Sequence, residues 1–401
     1  MTKKSSKKQS PLETIIGAIL GLIVLIAGFL IYNTTGVDLL DVINDDTAGN
    51  DTTVSAPVAL PGTVEGITFE QGSGGRKGFW AVYFTAPTNT RDRSQYKNGV
   101  DSALAAAIDG VRNTLDIAAF ELNNEVITAA ILRAHERGVT VRVVTDDEHG
   151  LEDDDSTLIE LEAEDIPIVD DSRSALMHNK FMIMDGITLW MGSMNYTVNG
   201  AYRNNNNMVS LRSRRAVEAY QEEFNEMFER GEFGPRSSEG NNRVFSQDGT
   251  GMEIHFASED NVIDELLSEI NNAQREIRFM TFSFTRDDLG EALLARSQAG
   301  VDVQGVFETT GSETQFSEMP RLLCAGLDVR QDGNRGILHH KVFVIDQQTV
   351  ITGSFNYSNN AVESNDENVL IIRDPDLAQM YLAEFARVQN IASRADDIPC
   401  N

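Results

Sequence analysis

One pattern, His-x-Lys-x-x-x-x-Asp, occurs twice in this chain of 401 residues and limits the possible folds more than any other feature. The copies read HNKFMIMD at residues 178–185 and HHKVFVID at residues 339–346. Each copy is followed by a second shared segment, GSMNY at 192–196 and GSFNY at 353–357. Equivalent residues of the two copies are 161 positions apart. A constant spacing over so many positions indicates two homologous halves.

The halves also match upstream of the motif, where both have the pattern of an α/β fold. Residues 120–147 parallel residues 282–309, and both read as strand end, loop, amphipathic helix, glycine and alternating strand. Strands that alternate with helices favour a parallel or mixed sheet covered by helices. The loop-like composition of residues 231–251 marks a boundary. We therefore predict domains at 79–235 and 250–401, related by a pseudo-two-fold axis.

Both motif copies are predicted to be buried strands, because KFMIMD and KVFVID are apolar runs of strand length. Residues i and i+2 of a strand point to the same face, so His178 projects with Lys180 and His339 with Lys341. The Gly-Ser-x-Asn segments read as a second strand that ends in a turn and brings a hydroxyl and an amide to the same place. These residues are Gly192, Ser193 and Asn195 in the first half and Gly353, Ser354 and Asn356 in the second.

Together these side chains would form a positively charged pocket that is rich in hydrogen-bond donors and suits a phosphate. Lysine is scarce after residue 32, yet two of the four that remain lie in the motif, which favours a need for a compact ammonium group there. One neutral imidazole can attack phosphorus, and the other, when protonated, can give a proton to the leaving alkoxide. The lysines, asparagines and serines would stabilise charge on the non-bridging oxygens. This chemistry requires no cofactor and no metal, and the sequence has no convincing cluster of metal ligands.

The doubled pattern His-x-Lys-x4-Asp-x6-Gly-Ser-x-Asn resembles the phospholipase D superfamily over about residues 79–396. The resemblance implies two α-β-α layered domains, phosphodiester substrates and a phosphohistidine intermediate. It also implies that His178, in the amino-terminal copy, is the nucleophile and that His339 is the general acid and base. Further catalytic residues implied in this way are Lys180, Lys341, Asn195, Asn356 and Glu367.

The resemblance further implies a carboxylate or amide downstream of each motif that holds the imidazole of the opposite half. Glu367 matches one such position and Asn206 the other, 161 residues earlier. Glu367 would support imidazolium character in His178, whereas Asn206 would hold His339 without that effect. Asp185 and Asp346, which end the motif strands, are implied to be structural.

The amino-terminal part of the chain predicts attachment to a membrane. Residues 15–32 are uncharged and mostly apolar, and a helix of that length would rise about 27 Å, close to the thickness of a bilayer core. The lysine-rich tail at 1–14 predicts a cytoplasmic amino terminus. We expect a single-pass signal-anchor in the cell membrane, extracytoplasmic catalytic domains, and a flexible tether at 33–78 with a short strand near 62–70. The alternative is a cleaved signal peptide and a secreted protein, although the run is long and no clear cleavage site follows it.

The net charge of −29 at pH 7 bears on the substrate, because such a field repels nucleic acids unless a local basic groove overrides it. We expect a monomer with two half-sites that hydrolyses or transfers the phosphodiester of phospholipids, since membrane attachment raises the local concentration of lipid. A membrane-tethered nuclease of the same superfamily is an alternative, favoured by the segment ESNDENVLII at 363–372 and by the shortness of each half. An inactive surface module that binds phosphate is a second alternative.

Two further features concern side chains outside the motif. Cys324 and Cys400 are the two cysteines, and they form either a disulfide or two free thiols, since a sequence does not give their separation. The acidic run at 146–155 lacks the ordered ligand spacing of a calcium loop and is predicted to be a solvated loop near the mouth of the site.

Overall fold

The computed structural model describes residues 63–236, 243–395 and 398–400. The predicted basic tail, the signal-anchor and most of the tether lie outside these described residues. Within the described ranges, no helix is both long enough and apolar enough to cross a membrane.

The first half is built on a mixed sheet of nine strands. They are β1 (Glu65–Ile67), β2 (Gly72–Lys77), β3 (Trp80–Thr85), β4 (Thr114–Ala119), β5 (Thr140–Thr145), β6 (Ile168–Asp170), β7 (Lys180–Met184), β8 (Thr188–Gly192) and β9 (Asn207–Leu211). Their order across the sheet is β1-β2-β3-β9-β8-β7-β4-β5-β6. The β4–β5 and β5–β6 pairs are parallel, whereas the motif strand β7 is antiparallel to both of its neighbours.

The second half repeats this arrangement in a sheet of eight strands. They are β10 (Val244–Gln247), β11 (Thr250–Ala257), β12 (Glu276–Thr281), β13 (Asp302–Phe307), β14 (Asp328–Gln331), β15 (Lys341–Ile345), β16 (Thr349–Gly353) and β17 (Glu367–Arg373). Their order, β10-β11-β17-β16-β15-β12-β13-β14, is that of the first sheet from β2 onward. The internal repeat predicted from the sequence is therefore a repeat of topology.

Helices connect the strands and begin and end at residues suited to those positions. They are α1 (Val100–Asp109), α2 (Glu125–Glu136), α3 (Leu158–Ala163), α4 (Val198–Tyr202), α5 (Arg214–Asn225), α6 (Val262–Asn272), α7 (Asp287–Gln298), α8 (Glu318–Cys324), α9 (Asn359–Glu363) and α10 (Pro375–Ile391). The side chain of Asn124 accepts the N–H groups of Val126 and Ile127 at the start of α2. Gly138 and Gly300 follow α2 and α7 with φ of 87° and 95°, in the left-handed region that allows glycine to end a helix.

The two sheets share a central apolar core that contains α5 and α10. Tyr220 of α5 illustrates this, because its ring packs edge-on against Phe181 of the first sheet, with 4.9 Å between centroids, and at the same distance against Phe256 of the second. Separate cores on the outer faces hold α1 and α2 on the first sheet and α6, α7 and α8 on the second. The molecule is thus layered α-β-α-β-α, with the middle layer common to both halves.

The structure differs from the predicted domain limits in two places. Strand β1 agrees with the short strand predicted near 62–70, but β2 also falls within the predicted tether at 33–78. Because β1 pairs with β2 and β2 pairs with β3, the first domain begins earlier. The segment GSGGRK of β2 carries almost no apolar side chain, which is why its composition reads as a linker. Strand β10 falls within the predicted boundary loop at 231–251 and pairs with β11.

The two cysteines form a disulfide. Cys324 ends α8, and its sulfur is 2.03 Å from that of Cys400 across a sequence separation of 76 residues. Of the two alternatives left open by the sequence, the structure has the covalent one. The bond holds residues 398–400 against the second half.

Candidate active site

The two motif copies occupy equivalent places at the starts of β7 and β15. Lys180 and Lys341 are the first residues of these strands, and each Nζ donates a hydrogen bond to the carbonyl oxygen of the histidine two residues earlier, at 2.6 and 3.0 Å. All four side chains are buried, with His178 exposed by 4%, His339 by 2% and the lysines by at most 1%. Each half therefore presents one imidazole and one amine as a compact unit.

The backbone of each motif is bonded to the opposite half. The N–H of His178 donates to the carbonyl of Asp366 at 3.0 Å, and the N–H of His339 donates to the carbonyl of Asn205 at 2.9 Å. Asp366 and Asn205 are themselves equivalent in the repeat. These reciprocal bonds bring the two half-sites together in the way that the pseudo-two-fold prediction requires.

The imidazoles are held across the same junction. His178 Nδ1 lies 2.7 Å from Glu367 Oε2, and His339 Nδ1 lies 3.0 Å from Asn206 Oδ1. Glu367 Oε2 also accepts the hydroxyl of Ser354 at 2.7 Å. The structure thus places Glu367 and Asn206 where the sequence predicted them, each against the histidine of the other half.

The hydrogen bonds of Asn206 define which ring nitrogen of His339 carries a proton. The Asn206 amide donates through Nδ2 to the carbonyl of Gly200 at 2.9 Å, so its Oδ1 faces His339 and must accept. The hydroxyl of Ser193 donates to the same Oδ1 at 2.8 Å. Nδ1 of His339 is then the donor, and Nε2 is left to face the site. An ionised Glu367 imposes the same arrangement on His178.

The glycines of the Gly-Ser-x-Asn segments allow two strands to approach closely. A Cβ on Gly192 would lie 2.2 Å from the carbonyl oxygen of Asn207, and one on Gly353 would lie 2.1 Å from that of Asn368. Neither contact is possible for a larger residue. Glycine at these positions lets the next residue, Ser193 or Ser354, reach its acceptor.

The two asparagines of these segments differ in their surroundings. Asn195 Nδ2 donates to Glu121 Oε2 at 2.7 Å, whereas the residue equivalent to Glu121 in the second half is Ser283. The side-chain oxygens of Asn195 and Asn356 are buried and lack a hydrogen-bond partner among the described residues. The sequence did not predict a role for Glu121. Its only signal there is that the two halves differ at this position, with Glu121 in one and Ser283 in the other.

Asp185 and Asp346 lie at the far ends of the motif strands and not beside the imidazoles. The carboxylate of Asp185 accepts three backbone N–H groups, from residues 112, 113 and 114, at 2.6–3.1 Å. Asp346 accepts the equivalent groups of residues 274, 275 and 276 at 2.7–3.1 Å. Both have φ of 53°, a left-handed conformation that Asp tolerates. These contacts fix the turns before β4 and β12, as expected for a structural role.

The charges of the two halves act on one another. Burial lowers the pKa of His178 well below its usual value, and Lys180 and Lys341 lower it further. Burial has the same effect on His339, with added contributions from both lysines and from His178. Burial also lowers the pKa of Lys180 to about 7, against the opposing charges of Glu367 and Glu121. The site therefore favours neutral imidazoles at neutral pH, and an anion bound beside the lysines and histidines would favour their protonated forms.

Phenylalanine rings lie against both basic pairs. Phe120 is 4.8 Å from the His178 ring and 4.7 Å from Lys180 Nζ. Phe282 is 5.1 Å from the His339 ring and 4.9 Å from Lys341 Nζ. The ring faces stabilise the ammonium groups without supplying a formal negative charge.

Two carboxylates that position the motif backbone were not identified from the sequence. Asp146 accepts the N–H of Met177 at 3.1 Å, and Glu308 accepts that of Leu338 at 2.6 Å, in each case one residue before the histidine. Asp146 begins the acidic run that was predicted to be a solvated loop, but it is only 1% exposed. The prediction is wrong for this residue, because its oxygens accept buried backbone groups. Carboxylates at matched positions of the repeat are the signal that could have revealed the pair.

A family model and several known proteins match this chain. The family model described as "Cardiolipin synthase, PLD-like domain" matches residues 104–228 and 266–389. The mitochondrial cardiolipin hydrolase of Mus musculus is 30% identical over 139 residues, which are 35% of this chain and 63% of that protein. A phospholipase D of Rickettsia felis is 35% identical over 120 residues, 30% of this chain and 60% of that protein. The chain thus spans less than two-thirds of the length of these relatives.

A solved structure extends the likeness across both halves. The phosphatidylserine synthase of Haemophilus influenzae Rd KW20 superposes with a TM-score of 0.57 over 73% of this chain and 83% of its own, at 14% identity, which shows a common fold. The family model covers a segment of each half and more than half of the whole sequence. This chain therefore belongs to the phospholipase D-like family.

Proposed function

We propose that the chain is a metal-independent phosphodiesterase that cleaves phospholipids through a phosphohistidine intermediate. The observation that carries this proposal is the pair of imidazoles whose Nδ1 atoms are bonded to Glu367 and Asn206 of the opposite halves, at 2.7 and 3.0 Å, beside two buried lysines. This arrangement leaves both Nε2 atoms for chemistry. It also supplies positive charge to a phosphate without a metal ion.

In the first step, Nε2 of His178 attacks phosphorus with its lone pair. A P–N bond forms while the P–O bond to the leaving alcohol breaks. Nε2–H of His339 gives its proton to the departing oxygen. The phosphorylated ring of His178 retains the Nδ1 proton and is cationic, so the carboxylate of Glu367 stabilises it.

In the second step, water releases the phosphoryl group. Nε2 of His339, now neutral, takes a proton from the water as the water oxygen bonds to phosphorus. The P–N bond breaks and its electron pair returns to His178, so both rings regain their starting state. An alcohol in place of water would give transfer instead of hydrolysis.

Substrate binding supplies the protonated His339 that the first step needs. In the unliganded site the pKa of His339 is lowered by burial, by Lys341 and by Lys180. A bound phosphodiester anion offsets the positive potential of the lysines and favours the charged form of the imidazole. His339 therefore gains its proton together with the substrate.

Phospholipid is the substrate class that we favour. Relatives of this chain are named as cardiolipin hydrolase and phospholipase D. The net charge of −29 opposes the approach of a nucleic acid, whose affinity rests on contacts to its phosphates. Hydrolysis of phospholipid beside a membrane also fits the apolar segment at 15–32.

The proposal is tested by offering the purified full chain, in EDTA, phosphatidylcholine, cardiolipin and single-stranded DNA. Release of choline or phosphatidic acid supports the proposal. Nicked DNA without lipid turnover would identify a nuclease, and binding of phosphate without any cleavage would identify an inactive module.

His178→Ala tests the covalent step. With a phosphorus-labelled lipid and an alkaline quench, which preserves a P–N bond, the wild-type chain should retain label and the variant should retain none. His135→Ala, which removes an imidazole on α2 outside the site, is the matched control and should label like the wild type. Full activity in His178→Ala would overturn the assignment.

We further propose that the catalytic domains lie outside the cytoplasm, anchored by residues 15–32. The disulfide between Cys324 and Cys400 supports this location, because such bonds persist in oxidising compartments. Digestion by a protease added to intact cells and to lysed cells, together with fractionation of membranes, tests both parts of the proposal. The chain should sediment with membranes and be cut in intact cells, and protection until the cells are lysed would contradict the location.

A further inference from the structure

The residues between the motif histidine and lysine begin two buried networks that are equivalent in the repeat but end differently. In the second half, His340 Nδ1 accepts the side-chain amide of Asn207 at 3.0 Å, and its Nε2–H donates to Glu384 at 3.0 Å. Glu384 then pairs with Arg387, with 2.6 Å between Nη2 and Oε1. This network ends in a carboxylate that is neutralised by an arginine.

In the first half, the same sequence of contacts ends without an arginine. Asn368 Nδ2 donates to Asn179 Oδ1 at 2.7 Å, and Asn179 Nδ2 donates to Glu223 Oε1 at 3.2 Å. Glu223 is the equivalent of Glu384, but the position equivalent to Arg387 is Glu226. A carboxylate thus stands where the other half has a guanidinium group.

A third carboxylate, from the second sheet, completes the cluster. One oxygen from each of Glu223, Glu226 and Glu259 lies within 4.8 Å of the others. Glu223 is 1% exposed, and the side chain of Glu259 is 3% exposed. Glu223 Oε2, both oxygens of Glu259 and the hydroxyl of Ser258 are buried without a hydrogen-bond partner among the described residues. Such oxygens are costly to bury unless a cation or a donor meets them.

When its carboxylates are ionised, the charges around this cluster do not balance. Arg230 pairs with Glu226 at 2.8 Å, and Arg243 pairs with Asp260 at 2.7 Å while remaining 4.0 Å from Glu259. Four carboxylates, those of Glu223, Glu226, Glu259 and Asp260, therefore face two guanidinium groups. When all four are ionised, the excess of two negative charges equals the charge of one divalent cation. Without a cation, burial raises the pKa of Glu223 well above its usual value and that of Glu259 to about 8, so protons would take the place of the cation.

We propose that Glu223, Glu226 and Glu259 bind a divalent cation, and that Ca²⁺ is the ion that fits them best. All the available ligands are hard oxygens, and Ca²⁺ accepts six to eight such atoms in flexible geometry. Nitrogen and sulfur ligands, which other metals prefer, are not part of the cluster. The cation would replace, in the first half, the positive charge that Arg387 provides in the second.

The site is structural and is not part of the phosphoryl chemistry, but it is connected to it. Asn179, which bonds Glu223, lies between His178 and Lys180 in the chain. A cation that fixes Glu223 would therefore fix the residue next to the nucleophile. The proposal does not depend on which phosphodiester the enzyme cleaves.

The test measures calcium binding and thermal unfolding of the full chain after treatment with EDTA and removal of the chelator. Titration calorimetry with CaCl₂ should show one site per chain. Saturating calcium should raise Tm by about 4 °C at 100 times the dissociation constant. Glu226→Gln should weaken binding about tenfold or more, because it removes one charged ligand.

Glu226→Arg is the sharper variant, since it copies the arrangement of the second half. We expect it to abolish the calcium-dependent rise in Tm and to raise Tm in EDTA toward that of the calcium-loaded wild type. Because this outcome is a gain of stability, it cannot arise from misfolding.

Glu253→Gln is the matched control, because Glu253 belongs to a different acidic group and is paired with Arg373 at 2.6 Å. It should keep the calcium response of the wild type. No binding heat and no change in Tm of the wild type with Ca²⁺, Mg²⁺ or Mn²⁺ would overturn the proposal and would mean that a proton shared by two carboxylates stabilises the cluster. An unchanged response in Glu226→Arg would overturn it as well.

Discussion

The two imidazoles of the site occupy equivalent positions but face chemically different acceptors. His178 faces the carboxylate of Glu367, and His339 faces the amide oxygen of Asn206. A carboxylate stabilises a cationic ring more than an amide does. The ring that becomes cationic on phosphorylation should therefore be His178, whereas His339 must be able to release its proton readily. This difference supports the assignment of nucleophile and acid that we propose.

The first prediction concerns His339→Ala and the leaving group. In the proposed mechanism His339 protonates the departing oxygen, so its loss should slow cleavage of an alkyl phosphodiester by about 10²–10⁴-fold. A nitrophenyl ester, whose leaving group needs no proton, should lose much less in the formation of the intermediate. Burst kinetics on the two substrates measure this. Equal losses on both would contradict the assigned role.

The second prediction concerns protons taken up on binding of an anion. The pKa values of both histidines are lowered by burial and by the lysines, and that of Lys180 is lowered to about 7 by burial. An anion favours the protonated forms and so raises these pKa values, which means that protons enter the site near pH 7. Calorimetry of vanadate binding in buffers of different ionisation enthalpy measures the uptake. Identical heats in all buffers would contradict it.

At this scale the sequence predicted much of the site, and for a physical reason. The expected common direction of His178 and Lys180 rests on strand spacing. In the structure β7 begins at Lys180, and a hydrogen bond from the lysine to the carbonyl of His178 joins the two residues. Glu121 and Asp146 were missed because each acts through a contact with a distant segment, Asn195 in one case and Met177 in the other. Local pattern does not record such contacts.

Among the elements, the motif strands are held at both ends, by the histidine backbone at one and by the aspartate at the other. Burial raises the pKa of Asp185, but backbone N–H groups of residues 113, 114 and 112 outweigh it, and the pKa lies below the usual 3.8. A lowered pKa in the folded state stabilises the fold above the unfolded-state pKa. That contribution is lost as pH falls through the folded-state value, below about pH 4.

The third prediction is that Asp185→Ala destabilises the fold without abolishing catalysis. Three N–H groups lose their acceptor, which costs about 1–3 kcal/mol in free energy of unfolding. The loss should appear as a lower urea midpoint at pH 7 and should shrink as the pH approaches 3. KM should be unchanged. A large loss of kcat with unchanged stability would instead assign Asp185 to the chemistry.

The sequence predicts the secondary-structure elements best where the hydrophobic pattern is strong, as in a continuous apolar run of strand length. Strands β7 and β15 are buried along their whole length, as their apolar runs require. The sequence predicts a tether in place of β2, because GSGGRK has neither alternating apolar and polar residues nor β-branched residues. Its strand conformation comes from pairing with β3, which sequence composition does not show.

For the whole molecule, the shared central core means that the halves are not independent domains. Residues of both sheets, with α5 and α10, pack in one apolar cluster. The sequence indicated two homologous halves and their symmetry, but it did not indicate that one layer belongs to both. The buried residues of α10, such as Leu377, Tyr381 and Val388, lie along one face, so the sequence pattern of an ordinary amphipathic helix does not show that two sheets share it.

The fourth prediction concerns the disulfide. The bond closes a loop across 76 residues, and such a link usually contributes about 2–4 kcal/mol by restricting the unfolded chain. The double variant Cys324→Ser, Cys400→Ser should show a correspondingly lower urea midpoint. Reducing agent should destabilise the wild type and leave the double variant unaffected. An unchanged midpoint in both comparisons would contradict this contribution.

The reciprocal hold of each imidazole by the opposite half limits how many reactions one chain can run at once. Although the motif occurs twice, the imidazole of each copy is bonded by a residue of the other half, Glu367 or Asn206, and in the proposed mechanism neither copy works alone. The duplication therefore gives one composite active site per chain and not two, because both half-sites take part in the same turnover. Active-site titration should hence give one equivalent per chain, and a substitution that disables either half-site should abolish the activity of the whole chain.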